Sequence, residues 1–462
     1  MRILQSKKFN QLSITADLPP ARTLLKNVLN ISVPAALEIF FVGLIGMADM
    51  MMVGNYSKQA LAAVSISQQP VFITLAFAIA LNAGVVAIIS RRKGENRPED
   101  ANATLRQSII ISAVVALFMT GLSVFIAQPL LTFAGAKADT IDLATTYFRI
   151  VSLSLILNYV RFMISSALRA IGKTKITLVM NIIANLVNVF FNYGFIHGNI
   201  GFPELGIAGA AIATLIGNFV AFVIAFAAIY RSKGFLSIHF KQDWRLNKSV
   251  LQSIFRISTP AFVEQIFMRI GFFFIAKIVN DLGTDQTAIN AVLSNIMALS
   301  FNITDGFAVG ASALVGRSLG EKDPAKAFAY GRMSQILSIF LATNMMLLVI
   351  IFRRQLAQSF SNETYIVSES ARLLTLSCFV MLPQSIQWVT TGVLRGAGDT
   401  VYTAGSSLLS VMVVRPLFSY FFVYGLAMGI LGSWIAMFID QMLRMILNNI
   451  RFINLKWLKI QV

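Results

Sequence analysis

Long apolar runs separated by short polar connections form the main pattern of this chain. Runs of about 18 or more apolar residues are long enough for a helix to cross a bilayer, whereas strands of a membrane barrel would span about ten alternating residues. The chain is therefore predicted to be an all-α membrane protein with twelve transmembrane helices. The predicted spans lie near residues 29–54, 64–90, 107–133, 143–168, 175–198, 206–230, 254–280, 288–316, 331–352, 368–394, 401–424 and 427–450.

The composition supports this class of protein. Of 462 residues, 56% are hydrophobic and 13% are charged, which is too apolar for a soluble protein of this size. A net charge of +18 would suggest a nucleic-acid partner in a soluble chain, but here Lys and Arg concentrate in alternate connections between spans. That distribution follows the positive-inside rule. We therefore expect the lipid bilayer as surroundings, no nucleic acid and both termini in the cytoplasm.

The chain also repeats itself at one constant offset, the separation of Pro34 from Pro260. Each repeat contains six predicted spans, an even number, so both halves enter the membrane in the same orientation and are related by an axis along its normal. Two six-helix lobes around a central cleft follow. The other matched positions include Glu38 and Glu264, Gly84 and Gly310, Arg91 and Arg317, and Arg169 and Arg395.

This repeat divides the chain into five predicted parts. A cytoplasmic N-terminal segment and a cytoplasmic tail flank two lobes, and a basic cytoplasmic linker joins the lobes. The parts are residues 1–28, the N-lobe 29–230, the linker 231–253, the C-lobe 254–450 and the tail 451–462.

Two carboxylates lie in the first predicted span, Glu38 and Asp49. Eleven residues of helix bring them back to within about 20° of each other and about 16 Å apart along the axis, so they share one face. A charge in the middle of a membrane helix is costly and usually faces a bundle interior or a water-filled cavity. We expect Asp49 to be functional, and Glu38 to serve either the substrate or a hydrogen bond between helices.

The fifth span has four asparagines on one helix face, at positions 181, 185, 188 and 192. Amides in lipid must find hydrogen-bonding partners. Their oxygens suit either coordination of a cation beside a carboxylate or hydrogen bonds between helices. In the second repeat Ser407, Val414 and Phe418 replace three of these amides, so the lobes are expected to differ chemically.

Further charged residues lie within the second half. Asp305 in the eighth span either forms structural pairs with Gln265, Arg269 and Arg415 or contacts a cationic substrate. Asp440 and Arg444 are four residues apart and are expected to form an ion pair on one helix.

Little in the sequence favours an enzyme. Cys378 is the single cysteine, and His197 and His239 are the two histidines, so a disulfide framework, a metal centre or a nucleophilic triad has few residues to use. We expect no cofactor and no resident metal. The repeated loops SRRKGENRPEDA and GRSLGEKDPAKA each have a glycine that ends a span and a proline that opens the next helix, and we interpret them as structural.

Several motifs in order along the chain resemble the multidrug and toxic compound extrusion (MATE) transporters. These motifs are ADMMMVGNYS, the two repeated loops, LRAIGKT, FPELGIAGAAIAT, GFAVGASALVGRSLGE and VLRGAGDT. The resemblance implies two six-helix lobes that form a V-shaped cleft, and a secondary antiporter that exports organic compounds in exchange for H⁺ or Na⁺. The position of the acid in the first helix looks most like the DinF-like branch.

The resemblance also implies site residues. The N-lobe cation site of the family falls on Asp49, Asn188, Asn192 and Thr214, where archaeal relatives with a Na⁺ site have a second aspartate in place of Asn192. In the other branch the coupling acids lie in the seventh and tenth helices, at positions that correspond here to Glu264 and Gln384. Because a proton needs only one carboxylate and Na⁺ needs several oxygens with retained charge, we expect H⁺ coupling, with Na⁺ as the alternative at the Asp49 site.

The function predicted from the sequence is therefore export of organic, cationic or amphipathic compounds across a bacterial inner membrane by alternating access of the two lobes. A lipid or glycan-precursor flippase of the same superfamily is the alternative, although such a flippase would bring extra helices and a strongly cationic cleft. We expect the protein to act as a monomer.

Overall fold

The computed structural model describes residues 18–239, 242–361, 363–460 and 462, and within these the secondary structure is helical without strands. The helices of the first repeat are α1 (Ala21–Tyr56), α2 (Lys58–Gly94), α3 (Pro98–Phe125), α4 (Ala127–Phe133), α5 (Ile141–Leu153), α6 (Leu155–Ala170), α7 (Thr174–His197) and α8 (Gly206–Tyr230). Those of the second are α9 (Lys248–Asn280), α10 (Thr284–Gly320), α11 (Pro324–Gln358), α12 (Thr364–Ser377), α13 (Met381–Gly396), α14 (Thr400–Ser407), α15 (Arg415–Tyr420) and α16 (Gly429–Ile453).

These helices account for the predicted membrane spans. In the described residues ten helical stretches are long and apolar enough to cross a membrane, and α5 with α6, bent by 46°, makes an eleventh. The remaining predicted span, near residues 254–280, lies on α9, which is 33 residues long but includes four charged residues in that run. Residues 1–17 of the predicted cytoplasmic segment 1–28 lie outside the described residues.

The eleventh predicted span is irregular. Between α14 and α15 the chain forms a π-helix at Leu408–Val414, and a second π-helix follows α15 at Phe421–Gly425. Pro416 lies between them and has no N–H to donate to the preceding turn, which interrupts the regular hydrogen-bond pattern of an α-helix at this position. Short π-helical segments inside α-helices are often found at functional sites.

The repeated loops have the same backbone in both halves. Helix α2 ends at Gly94 and α3 begins at Pro98, and α10 ends at Gly320 and α11 begins at Pro324, as the motif predicts. Asn96 and Lys322, one in each loop, both adopt a positive φ, at 54° and 57°. The repeat offset therefore holds down to single backbone conformations.

The described residues form two compact units that correspond broadly to the two repeats. The beginning of the first helix of each repeat belongs to the unit that contains the rest of the other repeat. One unit consists of Leu37–Arg256, and the other joins the described residues up to Ala36 with Ile257–Val462. The boundaries fall inside α1 and inside α9, within a few residues of Pro34 and Pro260.

The beginning of α1 packs closely on α10 within the second of these units. Leu24 and Val28 belong to the same buried apolar cluster as Phe307 of α10. A Cβ atom at Gly306 would overlap the backbone of Ala36, so glycine is needed there for the close approach of the two helices. This packing explains why α1 divides after Ala36.

The predicted linker is held along α3 in the Leu37–Arg256 unit. Asn102 donates to the carbonyl of Phe235 at 3.3 Å and accepts from the Ser237 N–H at 2.9 Å. Farther along α3, Gln107 donates to the carbonyl of Arg245 at 2.7 Å. Leu236 is 1% exposed, so the described part of the linker is packed against the helices that precede it.

The C-terminal tail packs in a comparable way on the second unit, but through aromatic rings. Trp457 is fully buried, its indole N–H donates to the carbonyl of Phe452 at 2.9 Å, and its ring stacks on Phe452 with 5.6 Å between centroids. Phe452 in turn stacks on Phe328 of α11 at 4.7 Å. The tail is therefore part of the core of this unit.

We predict that Trp457→Ala destabilises the protein by about 3–5 kcal/mol, the usual cost of truncating a buried tryptophan. Lys456→Ala is the matched control, because Lys456 is exposed on the same short 3-10 helix. Thermal unfolding in detergent should show a lower midpoint for Trp457→Ala alone. Equal midpoints for the two variants would show that the tail does not contribute to the core.

Candidate functional site

The structure brings together the four residues that the resemblance assigns to a cation site. Helix α1 supplies Asp49, α7 supplies Asn188 and Asn192, and α8 supplies Thr214. Asn192 donates from Nδ2 to an Asp49 carboxylate oxygen at 2.7 Å. Asp49 is half-buried, Asn188 is 6% exposed and Asn192 is 1% exposed. We call these four residues the Asp49 site.

The orientation of the Asn188 amide is assigned by its hydrogen-bonding partners. With Nδ2 towards Asp49, Asn188 donates to both carboxylate oxygens at 2.9 and 3.0 Å, and its Oδ1 accepts from the Thr214 N–H at 3.2 Å. The opposite orientation points the amide oxygen at the carboxylate, which is electrostatically unfavourable. The Thr214 hydroxyl donates to the carbonyl of Ala210 at 3.0 Å.

The Asp49 site therefore surrounds one carboxylate with neutral N–H donors. Such donors stabilise the ionised form of an acid in a place where water is scarce. Asn192 Oδ1 is buried and has no hydrogen-bond partner among the described residues, so turning this amide would let it accept a hydrogen bond from a protonated Asp49. In the described residues no group of three His, Cys, Asp or Glu side chains comes together, and Asp49 is the acid among the four residues of this site.

Glu38, on the same helix face, has a different environment. Arg169 of α6 lies 3.0 Å from its carboxylate, and Thr177 and Asn181 of α7 donate to it at 2.5 and 2.8 Å. Glu38 is 4% exposed. The interpretation of Glu38 as a residue that bonds helices together fits this geometry.

The asparagine face of α7 thus serves two acids. Asn181 bonds Glu38 and Asn192 bonds Asp49, and each pair is separated by 143 residues in the sequence. A constant separation means that α1 and α7 run side by side in the same direction and in register. The contact of Asn181 fits the interpretation as a hydrogen bond between helices, and coordination of a cation beside Asp49 stays a prediction.

The second repeat contains the counterpart of the Glu38 cluster. Glu264 of α9 is 1% exposed, pairs with Arg395 of α13 at 2.9 Å, and accepts from the Ser407 hydroxyl at 2.6 Å. These three positions match Glu38, Arg169 and Asn181 at the repeat offset. We call Glu38–Arg169 and Glu264–Arg395 the repeat ion pairs.

Aromatic side chains contact two of the other candidates of the second half. Asp305 accepts from the Trp388 indole N–H at 2.8 Å, and Arg415 lies over the Phe272 ring at 5.6 Å from its centroid. Gln384 is 7% exposed and Gln265 is half-buried. The predicted pair of Asp440 and Arg444 is confirmed at 3.1 Å.

Sequence reasoning missed the arginine partners of the two buried glutamates. Arg169 and Arg395 were assigned to the ends of spans, although both recur at the repeat offset together with Glu38 and Glu264. An acid and a base that both recur in the same register are a signal for an ion pair in each half. Tyr147 of α5 was also missed, and it lies close enough to Asp49 to interact with it electrostatically.

Two related helical halves, with acids held inside membrane-spanning helices, define a polytopic membrane protein of the transporter class. The profile of the MatE family matches residues 34–194 and 260–421. The first residues of these two stretches are separated by the offset of the internal repeat. The chain therefore belongs to the MatE family. Membership makes it a membrane transporter and not an enzyme.

Known proteins resemble the chain over almost its whole length. The probable multidrug resistance protein NorM of Thermotoga maritima is 24% identical over 441 residues, covering 94% of this chain and 93% of that protein. An outward-facing multidrug resistance MATE family transporter of the MOP superfamily has a TM-score of 0.87 at 21% identity, covering 96% of this chain and 100% of that one. A MOP superfamily transporter from Pyrococcus furiosus, described as having a binding pocket of reversed polarity that suggests a different function, has a TM-score of 0.88 at 21% identity and the same coverage.

We predict that Arg395→Met destabilises the protein by about 3–5 kcal/mol, because it leaves the Glu264 carboxylate buried without its cation. The double variant Glu264→Met/Arg395→Met removes both charges and should recover most of the loss. Thermal unfolding in detergent measures both effects, and Arg169→Met with Glu38→Met/Arg169→Met repeats the comparison in the first half. A double variant no more stable than Arg395→Met would contradict the role of the ion pair.

Proposed function

We propose that the protein is a secondary active antiporter that exports organic, cationic or amphipathic compounds in exchange for H⁺, by alternating access of the lobes 29–230 and 254–450. Membership of the MatE family supports export, and the similarity to a protein named for multidrug resistance supports a broad substrate range. The observation that carries the proposal is the Asp49 carboxylate, an intramembrane acid that has amide donors around it and no cationic partner among the described ion pairs.

The donors around Asp49 favour a proton over Na⁺ as the coupling ion. A Na⁺ site needs several oxygen ligands directed at the ion. Here the Asn188 and Asn192 amides direct N–H groups at the carboxylate, and Asn188 Oδ1 accepts from the Thr214 backbone. Na⁺ would require these amides to turn, whereas a proton needs only a carboxylate oxygen.

A transport cycle follows from the charge of Asp49. When ionised, Asp49 attracts a cationic substrate, and protonation from the outside removes that attraction and favours release. Deprotonation on the inside restores the charge and prepares the site for the next substrate. Each inward proton contributes about 2.3 kcal/mol per 100 mV of membrane potential, to which the pH gradient adds.

The setting of the protein belongs to the same proposal. The bacterial relatives support an inner membrane, and the distribution of Lys and Arg supports both termini in the cytoplasm. The acid in the first helix supports the DinF-like branch of the family, and we propose that the transporter acts as a monomer.

A lipid or glycan-precursor flippase of the same superfamily is the second candidate. The structural similarity to a MOP superfamily transporter described as having reversed pocket polarity favours it. It ranks second because an unpaired acid at Asp49 would repel a phosphate-bearing lipid head group.

The first functional prediction is that Asp49→Asn abolishes transport while the protein still folds. The amide occupies the same space and is easier to bury than a charge, so lost activity would report on coupling. Efflux of ethidium from proteoliposomes under an imposed pH gradient measures transport, and Asp285→Asn, which neutralises an exposed acid, is the control. Wild-type rates in a folded Asp49→Asn protein would refute the assignment.

The second functional prediction concerns the ion. Vesicles with an inward pH gradient and no Na⁺ should drive uphill ethidium efflux, and vesicles with the pH gradient held at zero and an inward Na⁺ gradient should not. Sustained uphill efflux in the second condition, saturable in Na⁺ and lost in Asn188→Ala, would show that Na⁺ is the coupling ion.

A further inference from the structure

Arg415 is a charged residue in the outer part of the eleventh predicted span. It begins α15, directly after the π-helix Leu408–Val414 and ten residues before this span ends at Gly425. By the positive-inside rule the Thr400 end of the span is cytoplasmic, so Arg415 lies towards the outer side. Its distance from both ends of the span places it within the membrane-spanning segment.

Among the described residues Arg415 has no carboxylate within ion-pair distance. Asp440, an acid whose charge acts on Arg415, is already paired with Arg444 at 3.1 Å and accepts from the Ser410 hydroxyl. Arg415 Nε is buried without a hydrogen-bond partner in the described part of the chain. Its guanidinium carbon lies 5.6 Å from the centroid of the Phe272 ring. The side chain is therefore a half-buried cation without a counter-charge of its own among the described residues.

The fold of the repeat does not require this charge. At the repeat offset the first half has Val189, an apolar residue, at the matching position of α7. An arginine is costly to place in a membrane helix, so its presence in one repeat alone indicates a specific task.

The structure also holds the backbone before Arg415 in place. Ser410, inside the π-helix, donates to both the carboxylate and the backbone carbonyl of Asp440 on α16. This tie joins the irregular segment to a regular helix and fixes where Arg415 emerges. A flexible loop could not direct the guanidinium in this way.

From these observations we propose that Arg415 binds an anionic group, a carboxylate or a phosphate, of the transported molecule. The proposal rests on the transport function above. It adds that the substrates of this transporter include amphipathic zwitterions, which have an anionic group beside their cationic one. The planar guanidinium offers paired N–H donors that match the two oxygens of such a group. The Phe272 ring beside it provides an apolar surface for the rest of the molecule.

Two dyes that differ by one methyl ester test the proposal. Rhodamine 110 has a free carboxylate, and rhodamine 123 is its methyl ester. Fluorescence anisotropy measures their equilibrium binding to the purified full-length protein in phosphatidylcholine nanodiscs, without any ion gradient. Arg415→Gln should lower the affinity for rhodamine 110 at least about tenfold, which is the effect of losing a hydrogen bond to a charged group. The affinity for rhodamine 123 should fall less than about twofold.

Arg415→Lys keeps the charge without the planar fork, and it should retain part of the preference for rhodamine 110. The proposal would be overturned if Arg415→Gln lowered the affinity for both dyes equally. It would also be overturned if the wild type bound the two dyes with equal affinity. Because the assay uses no gradient, its result is independent of whether H⁺ drives transport.

A membrane lipid is the other source of an anionic group. The same titration in nanodiscs that contain phosphatidylglycerol separates the two sources. Unchanged affinity for rhodamine 110 supports a transported ligand. A loss of affinity that follows the phosphatidylglycerol content, and that Arg415→Gln removes, would assign Arg415 to a lipid head group and refute the proposal.

Discussion

A charged carboxylate inside a bilayer needs a cation or several hydrogen-bond donors, and this requirement shapes both halves of the protein. In each repeat the first helix meets it with an arginine that lies just beyond the fourth predicted span of that repeat, as Glu38–Arg169 and Glu264–Arg395. A further donor, Asn181 or Ser407, comes from the fifth helix of the repeat. The ion pair therefore sets the position of the first helix against its neighbours, and in the N-lobe it fixes where Asp49 lies, about three turns farther along α1.

Beyond the repeat ion pairs the two halves have separated chemically. In the first, Asn188 and Asn192 surround Asp49 with donors. In the second, Val414 and Phe418 occupy the matching positions, so no comparable polar site can form there. The charge of that region instead resides on Arg415, beside a π-helix that has no counterpart in α7. One repeat thus presents an acid without a cation and the other a base without an acid, on the same helical framework.

Much of this could be predicted from the sequence, because apolar length and the repeat register report directly on helices and on their order. The helix ends at Gly94 and Gly320 and the pairing of Asp440 with Arg444 needed only local rules. The partners of Glu38 and Glu264 could not be predicted, because a single sequence does not show which helices pack against each other. The division of the asparagine stripe between two acids depended on the register of α1 with α7, and the burial of Trp457 on aromatic stacking with distant helices.

The packing of the beginning of α1 has a consequence for how the protein is made. Asn27 hydrogen-bonds Tyr330, which follows it by 303 residues, and Leu24 lies in a cluster with Phe307. During synthesis this end of the first helix therefore leaves the ribosome long before its neighbours exist, and it completes its packing only after the second half has been inserted. A fragment that stopped before Ile257 would lack those neighbours, so the first repeat on its own would leave this end of α1 unpacked.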